Sequence, residues 1–400
     1  MSTPPHAFAA SPTPANDLWG DDWAEVRAMW PLEPSVDHLN HGGFGAVLIP
    51  ALDEQQSWRA RMEENPARFF TRELPDALEL ARGEVAQFLG AENDGVAFVT
   101  NVTSGVSTAL AALDLRPDDE VVVTDHAFGA VHVAAERFAA RARAGVRVAA
   151  VELEADDEAV VAAVLAEVGD RTRLVCLDAV TSPTARRMPT ERIIAALAGS
   201  GIAVLVDAAH APGMVDVVLR EERADFWVGN LHTWCCAPRG TAVLAVAPQW
   251  RSRVTPLVVS WNGEEAFPDA FGVLGSADYT AWLAAPRALR SLNQLGLDRV
   301  RQHNAALARD AQHRIAAALG LDPSALPNVD GLSMRLVPLP GGVAENRDQA
   351  RALQKHIAES VEVEVGVTTW RGAGYLRLSA HAYNAPTDYD RLGRYITQLL

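Results

Sequence analysis

Seven short aliphatic runs recur between residues 95 and 247: GVAFVT, EVVVTD, RVAAVEL, RLVCLDAV, IAVLVDAA, ADFWVGN and TAVLAVA. Such short runs, rich in β-branched residues, read as strands. Between them lie GVSTALAALD, AVHVAAERFAARARA, DEAVVAAVLAEV and ERIIAALAGS, whose apolar residues repeat at helical spacing. Strand and helix alternating in this way predict an α/β fold, a mostly parallel central sheet wrapped by helices. The rhythm changes after Val246. A Pro- and Gly-interrupted passage, 256–277, leads into a long helical stretch from about Tyr279 to Ala318. Then GLSMRLVPL, VEVEVGVTT and GYLRLSA alternate with helical NRDQARALQKHIAES and TDYDRLGRYITQLL, a smaller α+β unit. The chain divides into an N-terminal arm (1–37) packing with the small domain, a large ligand-binding domain (38–285) and a small C-terminal domain (286–400).

A formal charge of -16 argues against a nucleic-acid groove or an anionic membrane, both of which repel so acidic a chain. A small-molecule site fits better. Cys176, Cys235 and Cys236 are too few for a disulfide framework or a four-ligand zinc site, so no metal is expected and a reducing cytoplasm is the expected compartment. Residues Met1 to Asn16 lack a basic start followed by an apolar stretch and read as a loose arm, not a secretion signal. No apolar run approaches the roughly 20 residues that span a bilayer. Lys355 is the only lysine; arginine supplies every other strong base, a bias that suggests a GC-rich genome.

Ligands of open α/β sheets gather beyond the carboxyl ends of the strands. After GVAFVT comes Asn101-Val102-Thr103-Ser104-Gly105, a polar turn opening a helix whose free N–H groups suit a phosphate. After EVVVTD come His126 and Phe128, flat rings able to cover one face of a planar ligand. After IAVLVD the chain reads Asp207-Ala-Ala-His210, a carboxylate able to pair with a protonated ring nitrogen. After ADFWVG come Asn230, His232 and Thr233-Trp234, then APRG.

In order, NVTSGV, TDHAF, DAVTSPT, VDAAHAPG, GNLHxW, CAPRG and GYLRLSAHAYN resemble the pyridoxal-phosphate (PLP) dependent aminotransferase class V family, fold type I, most closely its isopenicillin N epimerase-like group. The resemblance runs from LNHGGFGA at Leu39 to the last helix. It implies that Val102, Thr103, Asn230 and His232 contact the cofactor phosphate, His126 stacks on its ring, Ser182 and His210 lie near its phenolic oxygen and Asp207 holds its pyridine nitrogen. Arg377 takes the substrate carboxylate by a two-pronged contact, with Gly43 and Phe44 beside the substrate. Gly275 and Ser276 reach the phosphate of a neighbouring subunit, so a homodimer with shared active sites is expected. The loops 40–45 and 260–271, with Trp261, are expected to line the substrate pocket. Ala185 replaces a usual glycine and Ala277 a frequent arginine.

The largest departure is Thr233, at the position of the family's Schiff-base lysine, with no other lysine nearby. Without it, the cofactor is held noncovalently until an amino acid condenses with its aldehyde. Three readings stay open. Thr233 is a Lys-to-Thr replacement that traps a substrate-bound state of an epimerase or carbon–sulfur lyase. Alternatively it is native, in a lysine-free enzyme of bacterial secondary metabolism that decarboxylates and oxidatively deaminates, matching a branch that processes cysteine conjugates in lincosamide antibiotic biosynthesis. Or the chain is a non-catalytic scaffold.

Overall fold

The computed structural model of the protein describes residues 23–399 except 323, 325 and 328–330. The proposed loose arm at Met1 to Asn16 lies outside the described residues. In chain order the strands are β1 (Asp37–Leu39), β2 (Val96–Val99), β3 (Glu120–Thr124), β4 (Gly145–Ala149), β5 (Thr172–Asp178), β6 (Ala203–Asp207), β7 (Phe226–Asn230), β8 (Ala242–Val246), β9 (Met334–Pro338), β10 (Val363–Trp370) and β11 (Ala373–Ser379). Strands β2 to β8 form one mixed, mostly parallel sheet in the order β2-β8-β7-β6-β5-β3-β4, and only β8 runs against its neighbours. All seven aliphatic runs of the sequence are strands of this sheet.

Alternation along each strand places the site. Val175, Leu177, Val204, Val206 and Trp227 enter the core on one face, with the helices Ile49–Glu64 and Leu74–Phe88. Leu174, Cys176, Ala203, Leu205, Phe226 and Val228 enter the other, against Val102, Val106, Val131 and Ala135 of the helices Val102–Ala111 and Gly129–Ala142. Continuing the period of two, Asp178, Asp207 and Asn230 end three adjacent strands on this second face, beside the N-termini of those helices. Asp178 pairs in register with Asp207, and Asp207 with Val228.

The second sheet, β1-β10-β11-β9, has its own core with Leu307, Ala311, Ile315, Tyr389 and Ile396. Two expectations change here. The expected helix from Tyr279 to Ala318 is two, Thr280–Leu295 and Leu297–Ala318, because Gly296 adopts φ 84° between them. The first packs Leu283, Ala288 and Leu292 into the large core, so a boundary at 285/286 cuts an element of that core. A boundary at 37/38 likewise cuts β1, which pairs with β10 in the small sheet. Three residues are too short for a periodicity to reveal. Of the segment before β1, Trp23 Nε1 donates to Ala382 O (3.1 Å) and Arg27 to Tyr383 O (2.6 Å). No helix among the described residues is long and apolar enough to cross a membrane.

Candidate active site

The edge formed by β5, β6 and β7 carries the first groups. Asn230 Oδ1 accepts the Val102 N–H (3.0 Å), and Asn101 caps the same helix by accepting the Ser104 N–H (2.9 Å). Those bonds leave the exposed Thr103 with its N–H and hydroxyl unclaimed among the described residues, an anion seat narrower than the sequence implied. Asn230 is thus the brace of that helix end. Asp207 Oδ1 accepts the Ala209 N–H (2.9 Å), while Oδ2 has no partner among the described residues. Burial pushes this carboxyl up to about 6, against the pull of the Ala209 N–H.

Following β7, the 232–237 turn is pinned from two sides. A Cβ on Gly45 (φ 72°) would lie 2.2 Å from His232 O, and one on Gly213 (φ 84°) 2.5 Å from Trp234 O, so both backbones approach the turn where no other residue fits. Thr233 is buried there and its hydroxyl has no partner among the described residues. Trp234 Nε1 donates to His210 Nδ1 (3.2 Å), which obliges neutral His210 to carry its proton on Nε2 and offer it as a donor. Burial, then the nearby Arg377 charge, holds His210 down to about 3. His232 directs Nδ1 at Thr241 O (2.9 Å), so its proton sits there and Nε2 is left bare; burial lowers its pKa too.

Across the site, Arg377 reaches down from β11. It donates from Nη1 to Ser182 O (2.7 Å) and Oγ (2.9 Å) and from Nη2 to Asn40 Oδ1 (3.2 Å), while its buried Nε is left without a partner. Burial brings this guanidinium down to about 10, still a cation at neutral pH, with no carboxylate among the described residues against it. A buried cation held only by neutral acceptors is a seat for an anion from outside.

A profile of the aminotransferase class-V family matches residues 50–392. The chain belongs to the aminotransferase class V family. It is 30% identical over 391 residues to isopenicillin N epimerase of Streptomyces clavuligerus, covering 93% of this chain and 96% of the relative. It is 29% identical over 393 residues to a probable chloroplastic L-cysteine desulfhydrase of Arabidopsis thaliana, covering 90% and 82%. Among solved structures, a lysine-to-alanine mutant of C-DES with glycine covalently linked to its PLP cofactor aligns with a TM-score of 0.79 at 19% identity, covering 93% of this chain and 98% of that one. The fold is therefore PLP-dependent fold type I.

The class V donor set suits that cofactor: an acceptor at Asp207, an N–H donor at His210 Nε2 and helix N-terminal donors at Thr103 match a protonated ring nitrogen, an oxygen substituent and a phosphate. One expected contact does not hold as drawn. His126 is fully covered, with both ring nitrogens engaged, by Thr184 Oγ1 (2.7 Å) and Val151 O (2.9 Å), and with Trp370 against its ring at 4.8 Å. A ring closed in this way anchors its loop and offers no open face. Phe128, the other ring of that loop, is 45% exposed. Gly43, Phe44, Gly275 and Ser276 are all exposed, and Trp261 projects fully into solvent.

Sequence reasoning overlooked Asn40 as a partner of Arg377, Trp234 as the setter of the His210 tautomer and Asp178 beside Asp207. Only Asp178 had a local signal, since it ends a strand as Asp207 does. The two cysteines of the turn are buried, as expected of unreactive thiols: burial pushes Cys236 up to about 12 and Cys235 higher still.

Proposed function

We propose that this chain binds PLP at the edge of Asp207, His210 and Thr103 and acts at Cα of an amino acid, an S-substituted cysteine, by releasing its carboxylate as carbon dioxide. The observation that carries the reading is the absence of any lysine amine at the site among the described residues. Thr233 occupies the turn, and Lys355, the only lysine, is 74% exposed on the helix Arg347–Val361, facing Glu359 at 3.6 Å.

When bound, PLP supplies an electron sink for the bond broken at Cα. Asp207 would accept a hydrogen bond from the protonated ring nitrogen on its unclaimed oxygen, and that pairing would stabilise its buried charge. His210 donates from Nε2, its tautomer fixed by Trp234. Thr103 donates its N–H and hydroxyl to the phosphate, His232 Nε2 joins it only on taking up a proton, and Phe128 supplies an open ring at the same edge. Arg377 binds and orients the substrate carboxylate. With threonine at 233 no protein base removes the Cα proton, whereas a carboxylate departs without one. With dioxygen as oxidant the reaction balances as amino acid, dioxygen and water giving aldehyde, ammonia, carbon dioxide and hydrogen peroxide. The exposed Phe44, Trp261, Gly275 and Ser276 support a homodimer in which a second copy completes the site.

The test is to supply PLP and S-alkylated cysteines and to measure carbon dioxide, oxygen uptake and peroxide together. Equal release of carbon dioxide and uptake of oxygen is the expected outcome, and no turnover overturns it. A second reading, that threonine replaces a natural lysine and arrests an epimerase or carbon–sulfur lyase, is supported by the C-DES mutant, which holds an amino acid on its cofactor with a lysine removed. Under that reading Thr233→Lys gains epimerase or lyase turnover while the Thr233 form stays inert.

A further inference from the structure

The turn joining β10 to β11 has Arg371 at φ 46° and Gly372 at φ 77°, a pair of left-handed residues at a hairpin tip. The second is the residue such turns favour; the first is not, and a non-glycine held there persists when its surroundings demand it. They do. Arg371 Nε donates to Asp125 Oδ2 (2.7 Å), Nη1 to Glu152 Oε1 (2.6 Å) and Nη2 to Val151 O (3.3 Å), and its guanidinium lies 4.5 Å over the Trp370 ring. Trp370 in turn rests on His126. The hairpin makes two further contacts with the loop after β5, Thr368 Oγ1 donating to Pro183 O (2.9 Å) and Arg377 to Ser182.

Around His126 the hydrogen bonds have a fixed sense. Val151 O only accepts, so Nε2 carries the proton and Nδ1 accepts from the Thr184 hydroxyl. Thr184 also meets Thr181 Oγ1 (2.6 Å), which accepts the Arg186 N–H (2.9 Å). The charged groups that face the ring are Asp125 (3.8 Å), Arg186 and Arg371. Asp125 is already engaged on both oxygens, by Val151 N–H and by Arg371.

We propose that the Trp370–Arg371 tip is a latch: Arg371 is a positioning residue that keeps Asp125 engaged away from His126, and Trp370 clamps the His126 ring, so that the loops after β3 and β5 hold one arrangement beneath Arg377. The latch does not rest on the cofactor reading, because its test reads His126 itself. Burial already lowers the His126 pKa, with Asp125 opposing and Arg186 and Arg371 assisting. Removing Arg371 frees one oxygen of the carboxylate, removes a cation and admits water, and all three favour the protonated ring.

In the full-length protein labelled at histidine Cε1, with the His126 signal identified by its loss in His126→Asn, the resonance is followed by NMR against pH. In the parent it titrates below the ordinary histidine value of about 6.5. In Arg371→Met it moves above that value, and in Arg371→Met with Asp125→Asn it returns below it. An unchanged titration in folded Arg371→Met overturns the latch. Should Arg371→Met not fold, Asp125→Asn alone decides: faster amide exchange across residues 368–373 with His126 still titrating low supports the latch, and unchanged exchange overturns it.

Discussion

The two sides of the 233 turn are built from the same residue types and do opposite things. In front lie His210 and Arg377, buried, with His210 Nε2 and Arg377 Nε left without partners among the described residues. Behind lie His41, His381, Tyr383 and Cys236, most of whose polar atoms turn on one another: His41 contacts Tyr383 Oη (2.9 Å) and Thr233 O (3.1 Å), stacks on His381 at 4.2 Å, and Cys236 Sγ meets His381 Nε2 at 3.6 Å, while His381 Nδ1 has no partner among the described residues. The three side chains His41, Cys236 and His381 have the composition of a metal site, but stacked imidazoles direct their lone pairs side by side, and both His41 nitrogens are taken. Burial depresses the imidazoles on both sides, so a shifted pKa does not separate function from packing here. The buried cation Arg377 does, since burial keeps the groups behind the turn neutral.

That contrast is broken or sharpened by three measurements. The largest effect is expected from Arg377→Met in front, which weakens amino-acid binding on the order of 100- to 1000-fold, the usual consequence of deleting a buried charge partner. Thermal stability should hold or rise, since an unpaired buried cation is removed. Titration of the PLP-loaded protein with substrate, alongside calorimetry, checks both.

Behind the turn the order of effects reverses. His41→Ala should lose about 2–4 kcal/mol of stability by emptying a buried site and orphaning Tyr383 and Thr233 O, while amino-acid affinity stays within a few-fold. A denaturant melt with and without ligand reads this. If the affinity loss rivals that of Arg377→Met, the two sides are one functional unit and the contrast fails.

A smaller effect treats both sides alike. His210 and His381 are each held down to about 3, chiefly by burial, from an unfolded value of 6.5. The unfolded chain therefore binds their protons first, and stability falls as pH drops below about 6.5, each imidazole adding about 1.4 kcal/mol per pH unit until its folded pKa is reached. Asp207, raised to about 6 by burial, works the other way between 3.8 and 6, holding a proton in the folded state that the unfolded state has released. Replacing either histidine by asparagine should lower the measured slope by one proton. A change for one and not the other would show that front and back differ in burial after all.

How much of this was legible beforehand differs by kind of contact. Asp207 and Asn230 stood at ends of strands whose runs were unmistakable, so their shared edge followed from alternation alone, and Thr233 stood in the turn three residues beyond. Ala185 was visible as a departure from glycine, and its φ of 47° supplies the reason: the position is left-handed. His126 was read with its neighbour Phe128 as a covering ring, and nothing local distinguished the ring that is sealed from the ring that is open.

The sequence by itself determined the class V fold, the strand-end carboxylate and the loss of the lysine, because each depends on residue type at a fixed place in a short periodic pattern. The tertiary structure alone decided which ring Trp370 seals, which nitrogen of His210 carries its proton, and that Arg377 rests on Asn40 and Ser182. Those outcomes join segments far apart in the chain, and partners brought together by folding leave no period or spacing for a sequence to display.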